Sequence, residues 1–537
     1  MAEAVAEPLT LRPPRAAAGG GAGEVAPTPH FASRLLGPLW PVVLTVVSAA
    51  AFVVVQPSVG DLQAALARQS AAAHGVGLTY WFSWFGGGTT PGSYSVLTPY
   101  LSTLLGAPLL GALATVISTP LVAHALAGTR HRTAGVWLAT LATGCDLWSG
   151  RVPFALGVAL ALVAAVALRR RLTVLAVAAT VLSGLCSPVS GAFIALAVFA
   201  VFVTDRSRRR SALLVASAGV VALLVPALTF GDPGAQTYHV GSMLFTLVSA
   251  GALLSARPAP VLRTLLWLVV VAAPLLWLVP NGLGANVVRL PWMCLPAAVY
   301  ATADAGRTRR VLAVLPALTL CVNATVVDLA RSTGPSAAPA YYASLIGRLT
   351  ALPDLRNHRL EVVDDPDVHT AAYAVAAHAA LAGGWESQAF NRYDKVLLSA
   401  ALDAGAYRRW LDDNAVGYVA LDRRAQPVSP ELRLVRQLRP GYLVPVASDA
   451  QWVVFRVAAA RPIVSAPARL VAAGQASMTI DVPCACIVPV RVRYSTFLHA
   501  SSGRHRPAAT VTNDGHGWTR LRTRAPGRYV LRGSLFR

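Results

Sequence analysis

Acidic residues are scarce in the apolar part of this chain, so those that remain are candidates for chemistry. Only five of the 24 acidic residues lie between residues 38 and 327. Asp205 and Asp304 lie beside arginines, which makes a simple charge pairing the better interpretation for both. Asp61, Asp146 and Asp232 instead lie close to the ends of apolar segments. Because a carboxylate near lipid is energetically costly, it is usually retained for a function.

Two arginines occupy comparable places in the chain. Arg151 and Arg289 precede apolar segments, in the stretches CDLWSGRVPF and NGLGANVVRLPW. If their loops converge with those of Asp61 and Asp146, two carboxylates and two guanidinium groups meet at one membrane face. A guanidinium group binds phosphate through paired hydrogen bonds, and a carboxylate near a hydroxyl can act as a general base. For Asp61, helix capping or salt bridging is an equally good interpretation.

The stretch that contains Asp61 has a distinctive composition over residues 56–96. A short amphipathic segment is followed by an aromatic cluster, a triple glycine and Pro91; the cluster is Tyr80, Trp81, Phe82, Trp84 and Phe85. This pattern predicts an interfacial helix and an aromatic belt beside a substrate site that faces lipid headgroups. His74, Trp81 and Tyr94 are accordingly candidates for substrate binding. A solvated loop with an aromatic girdle is the alternative.

The composition predicts a polytopic α-helical membrane protein. Of the 537 residues, 55% are hydrophobic and 13% are charged, whereas soluble domains have about 25% charged residues. About eleven apolar segments approach the ~20 residues that a membrane span needs. They lie near residues 38–56, 97–125, 133–148, 152–168, 172–187, 188–204, 211–229, 242–256, 261–280, 290–304 and 309–327.

The distribution of arginines predicts the orientation of these spans and argues against nucleic-acid binding. The net charge is +22, but the arginines are spread between the apolar segments and form no single patch. Counted on alternate sides of the predicted spans, fourteen arginines fall on one side and three on the other. The positive-inside rule then places a disordered tail, residues 1–37, in the cytoplasm and the chain after residue 327 outside the plasma membrane. Lys395 is the only lysine, which excludes a GxxxxGK[ST] phosphate loop.

The remaining chain predicts two exterior domains. Residues 328–460 alternate strand-like and helical stretches, which indicates an α/β domain, and residues 461–537 have the short alternating strands of a β-sandwich or jelly roll. Cys484 and Cys486 are better explained as packed thiols than as a disulfide. In the last domain His516, Trp518 and Tyr529 suggest a carbohydrate-facing surface, although core or turn roles are commoner.

The layout resembles the GT-C superfamily of membrane glycosyltransferases, which use polyprenyl-phosphate sugars at the outer face of the plasma membrane. The resemblance is carried by Asp61 in the first outer loop, the surface helix after it, Tyr94, Pro99 and Tyr100 before the second span, Asp146, and the C-terminal exterior domains. Among relatives, the actinobacterial arabinofuranosyltransferases are the most similar in style. The stretch GLTYWFSWFGGGTTPGSYSVLTPYLS also resembles uncharacterised actinobacterial integral membrane proteins.

This resemblance implies sugar transfer from a polyprenyl-phosphate donor to a cell-envelope glycan or lipid acceptor. Asp61 would be the general base, Arg289 would bind the donor phosphate, and Asp146 would orient the acceptor or hold a cation. No paired Asp-x-Asp motif occurs in the first loop, which leaves a divalent cation as an open alternative. The competing functions are a secondary transporter or flippase and a non-catalytic cell-envelope assembly protein. The expected partners are membrane lipids, the lipid-linked donor and a cell-wall glycan.

Overall fold

The structure is a computed structural model that describes residues 39–231, 234–365, 367–426, 428–502 and 509–535. The predicted tail, residues 1–37, and Asp232 lie outside the described residues.

The apolar region is helical in each segment where the sequence predicts a span. Its helices are α1 (Trp40–Val55), α2 (Gly60–Ala73), α3 (Pro91–Tyr94), α4 (Thr98–Leu105), α5 (Ala107–Ala125), α6 (Arg132–Trp148), α7 (Val152–Arg169), α8 (Thr173–Cys186), α9 (Pro188–Thr204), α10 (Arg209–Phe230), α11 (Val240–Ser255), α12 (Pro260–Leu278), α13 (Leu295–Thr302) and α14 (Arg307–Arg331).

The predicted number of eleven membrane spans is not confirmed. Within the described residues, five helices are long and apolar enough to cross a membrane, and α1 and α2 could form a sixth span although they meet at a bend of 67°. Helices α8, α9 and α11 are apolar but shorter. The predicted segment 97–125 is divided at Gly106, whose φ of +82° ends α4 and is easily adopted only by glycine.

A mixed four-stranded sheet forms the core of the α/β domain that follows. Its strands are β1 (Arg359–Val363), β2 (Val416–Asp422), β3 (Leu443–Ser448) and β4 (Trp452–Val457), in the order β1-β2-β4-β3. β1 and β2 are parallel and the other pairs are antiparallel. The domain's helices are α15 (Ala343–Leu349), α16 (Ala371–Ala374), α17 (Ser387–Tyr393), α18 (Ala404–Asp413) and α19 (Pro430–Arg433).

Two antiparallel sheets form the β domain at the end of the chain. One sheet has the order β7-β10-β9 and the other β5-β6-β11-β8. The strands are β5 (Arg469–Ala473), β6 (Ser477–Val482), β7 (Ile487–Arg493), β8 (Leu498–Ser501), β9 (Ala509–Asn513), β10 (Trp518–Thr523) and β11 (Gly527–Gly533). The C-terminal β-sheets that the sequence predicts are thus present.

One expectation about the β domain is wrong. Cys484 and Cys486 form a disulfide and are not packed thiols. Trp518 and Tyr529 have the core roles that are commoner for such residues: Trp518 is buried and packs on the guanidinium group of Arg493, and Tyr529 belongs to the core between the sheets.

The aromatic cluster after α2 is also not a membrane belt. Tyr80 and Phe82 are buried in the core of the β domain, whereas Trp81, Trp84 and Phe85 belong to the core of the α/β domain. The backbone N–H of Phe82 donates to the carbonyl of Gln475, and the Trp84 indole N–H donates to the carbonyl of Ala372 at 2.9 Å. Five aromatic side chains bury more apolar surface in the cores of two domains than they would at a membrane surface. The loop that carries them therefore joins both domains to the helical region.

Candidate active site

A cavity of about 720 Å³ lies where the ends of several apolar helices meet the α/β domain. The starts of α2, α7 and α9 and the end of α10 line it, together with the loop before α13. Residues 385–388 of the α/β domain complete the wall. Of the seven residues predicted for the site, Asp61, Tyr94, Arg151 and Arg289 line this cavity. Residues far apart in the sequence are therefore brought together at one end of the helical region.

Arg151 is the centre of the polar wall and faces three carboxylates. Its guanidinium group lies 3.3 Å from Asp61 Oδ2, 3.0 Å from Asp328 Oδ2 and 4.0 Å from Asp146 Oδ1. The residue precedes Pro153 at the start of α7, where proline is well tolerated in the first helical turn. The Arg151 side chain is only 14% exposed, so these charges interact with less screening than surface charges.

Arg289 is the second cation of the site. Its Nη2 lies 3.9 Å from Asp61 Oδ2, and its Cζ lies 5.0 Å from the ring centroid of Phe154. Within the described residues the Arg289 guanidinium group donates no hydrogen bond, and its side chain is 19% exposed. A guanidinium group that is desolvated but has free donors is suited to binding an anion.

A buried ion pair connects the cavity to the α/β domain. Arg68 of α2 donates to Glu386 Oε2 at 2.9 Å, and both side chains are less than 10% exposed. The Arg68 guanidinium also stacks on Tyr94, with 3.8 Å between its Cζ and the ring centroid. The stacking contact with Arg68 thus holds Tyr94 at the cavity. Because both charges are buried and paired, removing either would leave the other uncompensated.

Part of the cavity wall is apolar. It is formed by side chains of α7, α9 and α10, namely Phe154, Val189, Ala192, Ala222, Leu223 and Pro226. These helices include two of those long and apolar enough to cross a membrane. The cavity therefore combines charged side chains with apolar side chains that suit a hydrocarbon chain.

The other three predicted residues lie outside this cavity. Asp146 lies behind Arg151, is 5% exposed and lines a smaller cavity of about 150 Å³. His74 follows the end of α2, where its ring nitrogen contacts the carbonyl of Ser70. Trp81 packs on Trp84 and donates to Gln475 Oε1. Roles for these three in substrate binding stay predictions.

Three polar residues of the site were not predicted from the sequence. Asp328 lies in the last turns of α14, one residue beyond the end of the last predicted span, and was therefore assigned to the exterior domain. The ion pair of Arg68 and Glu386 joins residues 318 positions apart. The scarcity of acids near apolar helix ends could have identified Asp328, but no local sequence signal points to Glu386.

The carboxylates offer no arrangement for a metal ion. Asp61, Asp146 and Asp328 all face the guanidinium group of Arg151, which occupies the space between them. Across the part of the chain that the structure describes, no group of three or more His, Cys, Asp or Glu side chains could hold a metal ion.

Comparisons with known proteins find only a distant likeness. No protein-family model and no curated protein matches the chain. A solved structure of the arabinofuranosyltransferase AftD from Mycobacteria is similar over 79% of this chain and 40% of that chain, with 17% identity and a TM-score of 0.45. A mutant form of AftD gives 17% identity and a TM-score of 0.44, over 79% of this chain and 42% of that one. A TM-score below 0.5 at this identity assigns neither fold nor function.

A second group of acids is buried inside the α/β domain. It consists of Glu361 on β1, Asp394 and Glu431, which are buried, and Asp364 directly after β1, which is partly buried. Burial raises the pKa of Asp364 and of Asp394 to about 8 and that of Glu431 to about 7. Burial, together with the nearby Glu431 and Asp394, also raises the pKa of Glu361 well above its ordinary value.

These raised pKa values predict that the domain loses stability as the pH rises. A carboxyl whose pKa is near 4 when unfolded and about 8 when folded binds more protons in the folded state, so its contribution is fully present below pH ~4 and is lost towards pH ~8. We expect the thermal midpoint to be lower at pH 8.5 than at pH 5, and Asp394→Asn to flatten this difference. Burial and the positive charge of Arg331 lower the pKa of His369 to about 3, so His369 stays neutral across this range.

Differential scanning fluorimetry of the full chain in lipid nanodiscs measures this effect. Asp481→Asn is the control, because Asp481 lies in the β domain, is 34% exposed and pairs with Arg469. A midpoint that rises between pH 5 and pH 8.5, or the same slope in Asp394→Asn, would show that these acids are ionised in the folded protein.

Proposed function

We propose that the chain is a membrane glycosyltransferase of the GT-C type. It would transfer a sugar from a polyprenyl-phosphate donor to a cell-envelope glycan or lipid acceptor, at the outer face of the plasma membrane. In this proposal the N-terminus is cytoplasmic and both C-terminal domains are extracytoplasmic. The observation that carries the proposal is one cavity in which Asp61 and Arg289 lie 3.9 Å apart beside an apolar wall.

The charged and the apolar side chains of this cavity match the two parts of a polyprenyl-phosphate sugar. The apolar wall from α7, α9 and α10 suits the polyprenyl chain, which partitions into a hydrocarbon environment. The Arg289 guanidinium group, which donates no hydrogen bond among the described residues, suits the phosphate. Its contact with the Phe154 ring fixes the plane of the guanidinium group. The volume of about 720 Å³ is within the range of roughly 300–1,000 Å³ for ligand pockets.

Asp61 would then act as the general base of the transfer step. The acceptor oxygen forms a bond to the anomeric carbon, while the bond between that carbon and the phosphate oxygen breaks. Polyprenyl phosphate leaves with the electron pair, and Asp61 accepts the proton of the acceptor hydroxyl. Arg289 stabilises the negative charge that develops on the phosphate, because its positive charge is fixed in place before the reaction.

Asp61 lies between two guanidinium groups before the donor binds, 3.3 Å from Arg151 and 3.9 Å from Arg289. A bound phosphate would compete with Asp61 for Arg289 and leave Asp61 paired with Arg151 alone. The carboxylate would then be free on one side to contact the acceptor hydroxyl.

The proposal is tested by assaying transfer with the purified chain in nanodiscs. Farnesyl-phosphoryl arabinofuranose and farnesyl-phosphoryl mannose are suitable water-dispersible donors, and short arabinan and mannan oligosaccharides are suitable acceptors. Release of farnesyl phosphate together with a lengthened oligosaccharide supports the proposal. Movement of the labelled lipid between leaflets without transfer would instead support a flippase. Neither activity, in a chain that is needed for envelope assembly, would support a non-catalytic role.

The proposed role of Arg289 predicts a specific effect of Arg289→Lys. Lysine keeps the charge but loses the paired donors, so donor binding should weaken more than the chemical step. We expect KM for the donor to rise by about tenfold and kcat to fall much less, because tenfold corresponds to ~1.4 kcal/mol, the size of one charged hydrogen bond. Arg263→Lys, at the opposite end of the helical region, is the control. A fall in kcat with an unchanged KM would contradict phosphate binding by Arg289.

A further inference from the structure

The group of buried acids in the α/β domain lines a second cavity, which we name the acidic cavity. Its volume is about 450 Å³, and Glu361, Asp364, Asp394 and Glu431 all line it. Asp364 lies at the carboxyl end of β1, which is paired in parallel with β2. In sheets with parallel strands, ligands bind at the carboxyl ends of the strands. The acidic cavity thus lies where this type of sheet places a ligand.

Three of the four acids have one oxygen held by an aromatic donor. The Tyr342 hydroxyl donates to Asp364 Oδ2 at 2.7 Å, and the Tyr407 hydroxyl donates to Glu431 Oε1 at 2.8 Å. The Trp410 indole donates to Asp394 Oδ1 at 3.1 Å. These bonds fix the orientation of the carboxyl groups and leave the second oxygen of each free of these donors. Carboxyl groups oriented in this way are suited to recognition of a ligand.

One of these second oxygens requires a partner that the described protein does not supply. Asp394 is 1% exposed, and its Oδ2 has no hydrogen-bond partner among the described residues. Asp394 Oδ2 lies at the wall that contains Gly383, where an added Cβ would be 3.6 Å away. An unsatisfied buried acid is costly, which indicates that a ligand group belongs here.

The charge and shape of the acidic cavity favour a neutral hydroxyl-bearing ligand over a cation. No metal-binding group occurs among the described residues. Arg331, the arginine of the wall, is 54% exposed and pairs with Asp367. Burial raises the pKa of Asp364 and of Asp394 to about 8, which favours their neutral form near pH 7. A protonated carboxyl both donates and accepts a hydrogen bond, as a sugar hydroxyl does.

The acidic cavity shares a wall with the candidate active site. Gln236, Trp385 and Ser387 line both cavities. Phe390 and Asn391 of α17 add an aromatic ring and a side-chain amide to the acidic cavity. A few oriented polar groups among aromatic side chains are typical of small-molecule sites. A ligand longer than one sugar could therefore occupy the acidic cavity while its end approaches Asp61.

We infer that the acidic cavity binds a neutral sugar unit of the acceptor glycan, remote from the bond that is formed. This inference rests on the proposed function for the identity of the ligand as an acceptor. The binding itself needs only hydroxyl groups and no donor lipid, so it can be measured without transfer.

The test is saturation-transfer NMR and calorimetry on the full chain in nanodiscs, with two neutral trisaccharides as probes: an arabinofuranosyl trisaccharide and maltotriose. We expect one of them to bind, and Asp394→Asn to weaken its binding at least tenfold. Gly383→Ala should also weaken it, because the added methyl covers Asp394 Oδ2 at a distance of ordinary contact. Asp481→Asn, in the β domain, should bind as the unsubstituted chain does.

Each outcome either supports or overturns the inference. Lack of binding by either trisaccharide overturns it, and so does equal binding by the two cavity variants. Binding of Ca²⁺ or of a small amine in place of the sugars also overturns it, because the acids would then form a cation site. Binding of a trisaccharide by a chain without transfer activity supports this inference while the proposed function fails. Transfer without binding of either trisaccharide would support the proposed function and overturn this inference.

Discussion

Asp61→Asn should reduce sugar transfer at least 100-fold while leaving the protein folded. Asparagine keeps the size of the side chain but cannot accept the proton of the acceptor hydroxyl, and loss of a general base typically costs about 10²–10⁴-fold. Asp61 is 34% exposed, and ion pairs at this exposure contribute about 0–1 kcal/mol to stability. The effect should fall on kcat, which single-turnover transfer assays with saturating donor measure directly.

Asp205 provides a matched control for this substitution. Its side chain is 35% exposed and pairs with Arg208 at 3.3 Å, which reproduces the exposure and the arginine contact of Asp61. Asp205 lies at the other end of α9 from the candidate active site. Asp205→Asn should therefore retain full transfer and the same thermal midpoint. If Asp61→Asn transfers sugar as fast as Asp205→Asn does, Asp61 is not the base and its role is to pair with Arg151.

The positions of the apolar helices could be predicted from the sequence because hydrophobicity is a local property. The segment predicted at 188–204 is α9, residues Pro188–Thr204, and the one predicted at 152–168 is α7, residues Val152–Arg169. The number of spans could not be predicted in the same way. Helices α8 and α9 are apolar but have only 14 and 17 residues, which is shorter than the ~20 residues of a typical span, so hydrophobicity alone overcounts the spans.

The place of the aromatic cluster in the fold could not be predicted from the sequence. Trp and Tyr are favoured both at a membrane interface and in a domain core, because each combines a large apolar ring with one polar group. Trp84 donates to a carbonyl almost 300 residues away, and Tyr80 donates to the carbonyl of Arg493. Only the folded domains supply these hydrogen-bond acceptors. Composition alone therefore predicted an aromatic belt at the membrane surface.

The candidate active site was predictable to the extent that it follows from charge near apolar segments. Asp61, Arg151 and Arg289 meet because each lies at a helix end on the same face of the helical region. The partners that fix them could not be predicted, since Glu386 and Asp328 come from segments that sequence patterns assign to a separate domain. Their pairing depends on how that domain packs on the helices.

Arg151→Met should cause a large loss of stability. Methionine fills similar space but leaves Asp61, Asp146 and Asp328 without their common cation. The cost should be greatest for Asp146, because its side chain is 7% exposed and its Oδ1 has no hydrogen-bond partner among the described residues. Removing one partner of a buried ion pair typically costs about 3–5 kcal/mol. Thermal unfolding in nanodiscs, followed by tryptophan fluorescence, measures the loss.

A second substitution separates this electrostatic cause from a loss of packing. In the Arg151→Met background, Asp146→Asn removes the charge that was left uncompensated, so it should recover a large part of the lost stability. In the unsubstituted chain the same Asp146→Asn change should be destabilising, because it weakens a contact that Arg151 already makes. Arg130→Met is the surface control: its side chain is 70% exposed and its pair with Asp304 should contribute at most ~1 kcal/mol. If Asp146→Asn destabilises the Arg151→Met protein as much as it does the unsubstituted chain, the two residues are not coupled, and Arg151 stabilises the fold through packing alone.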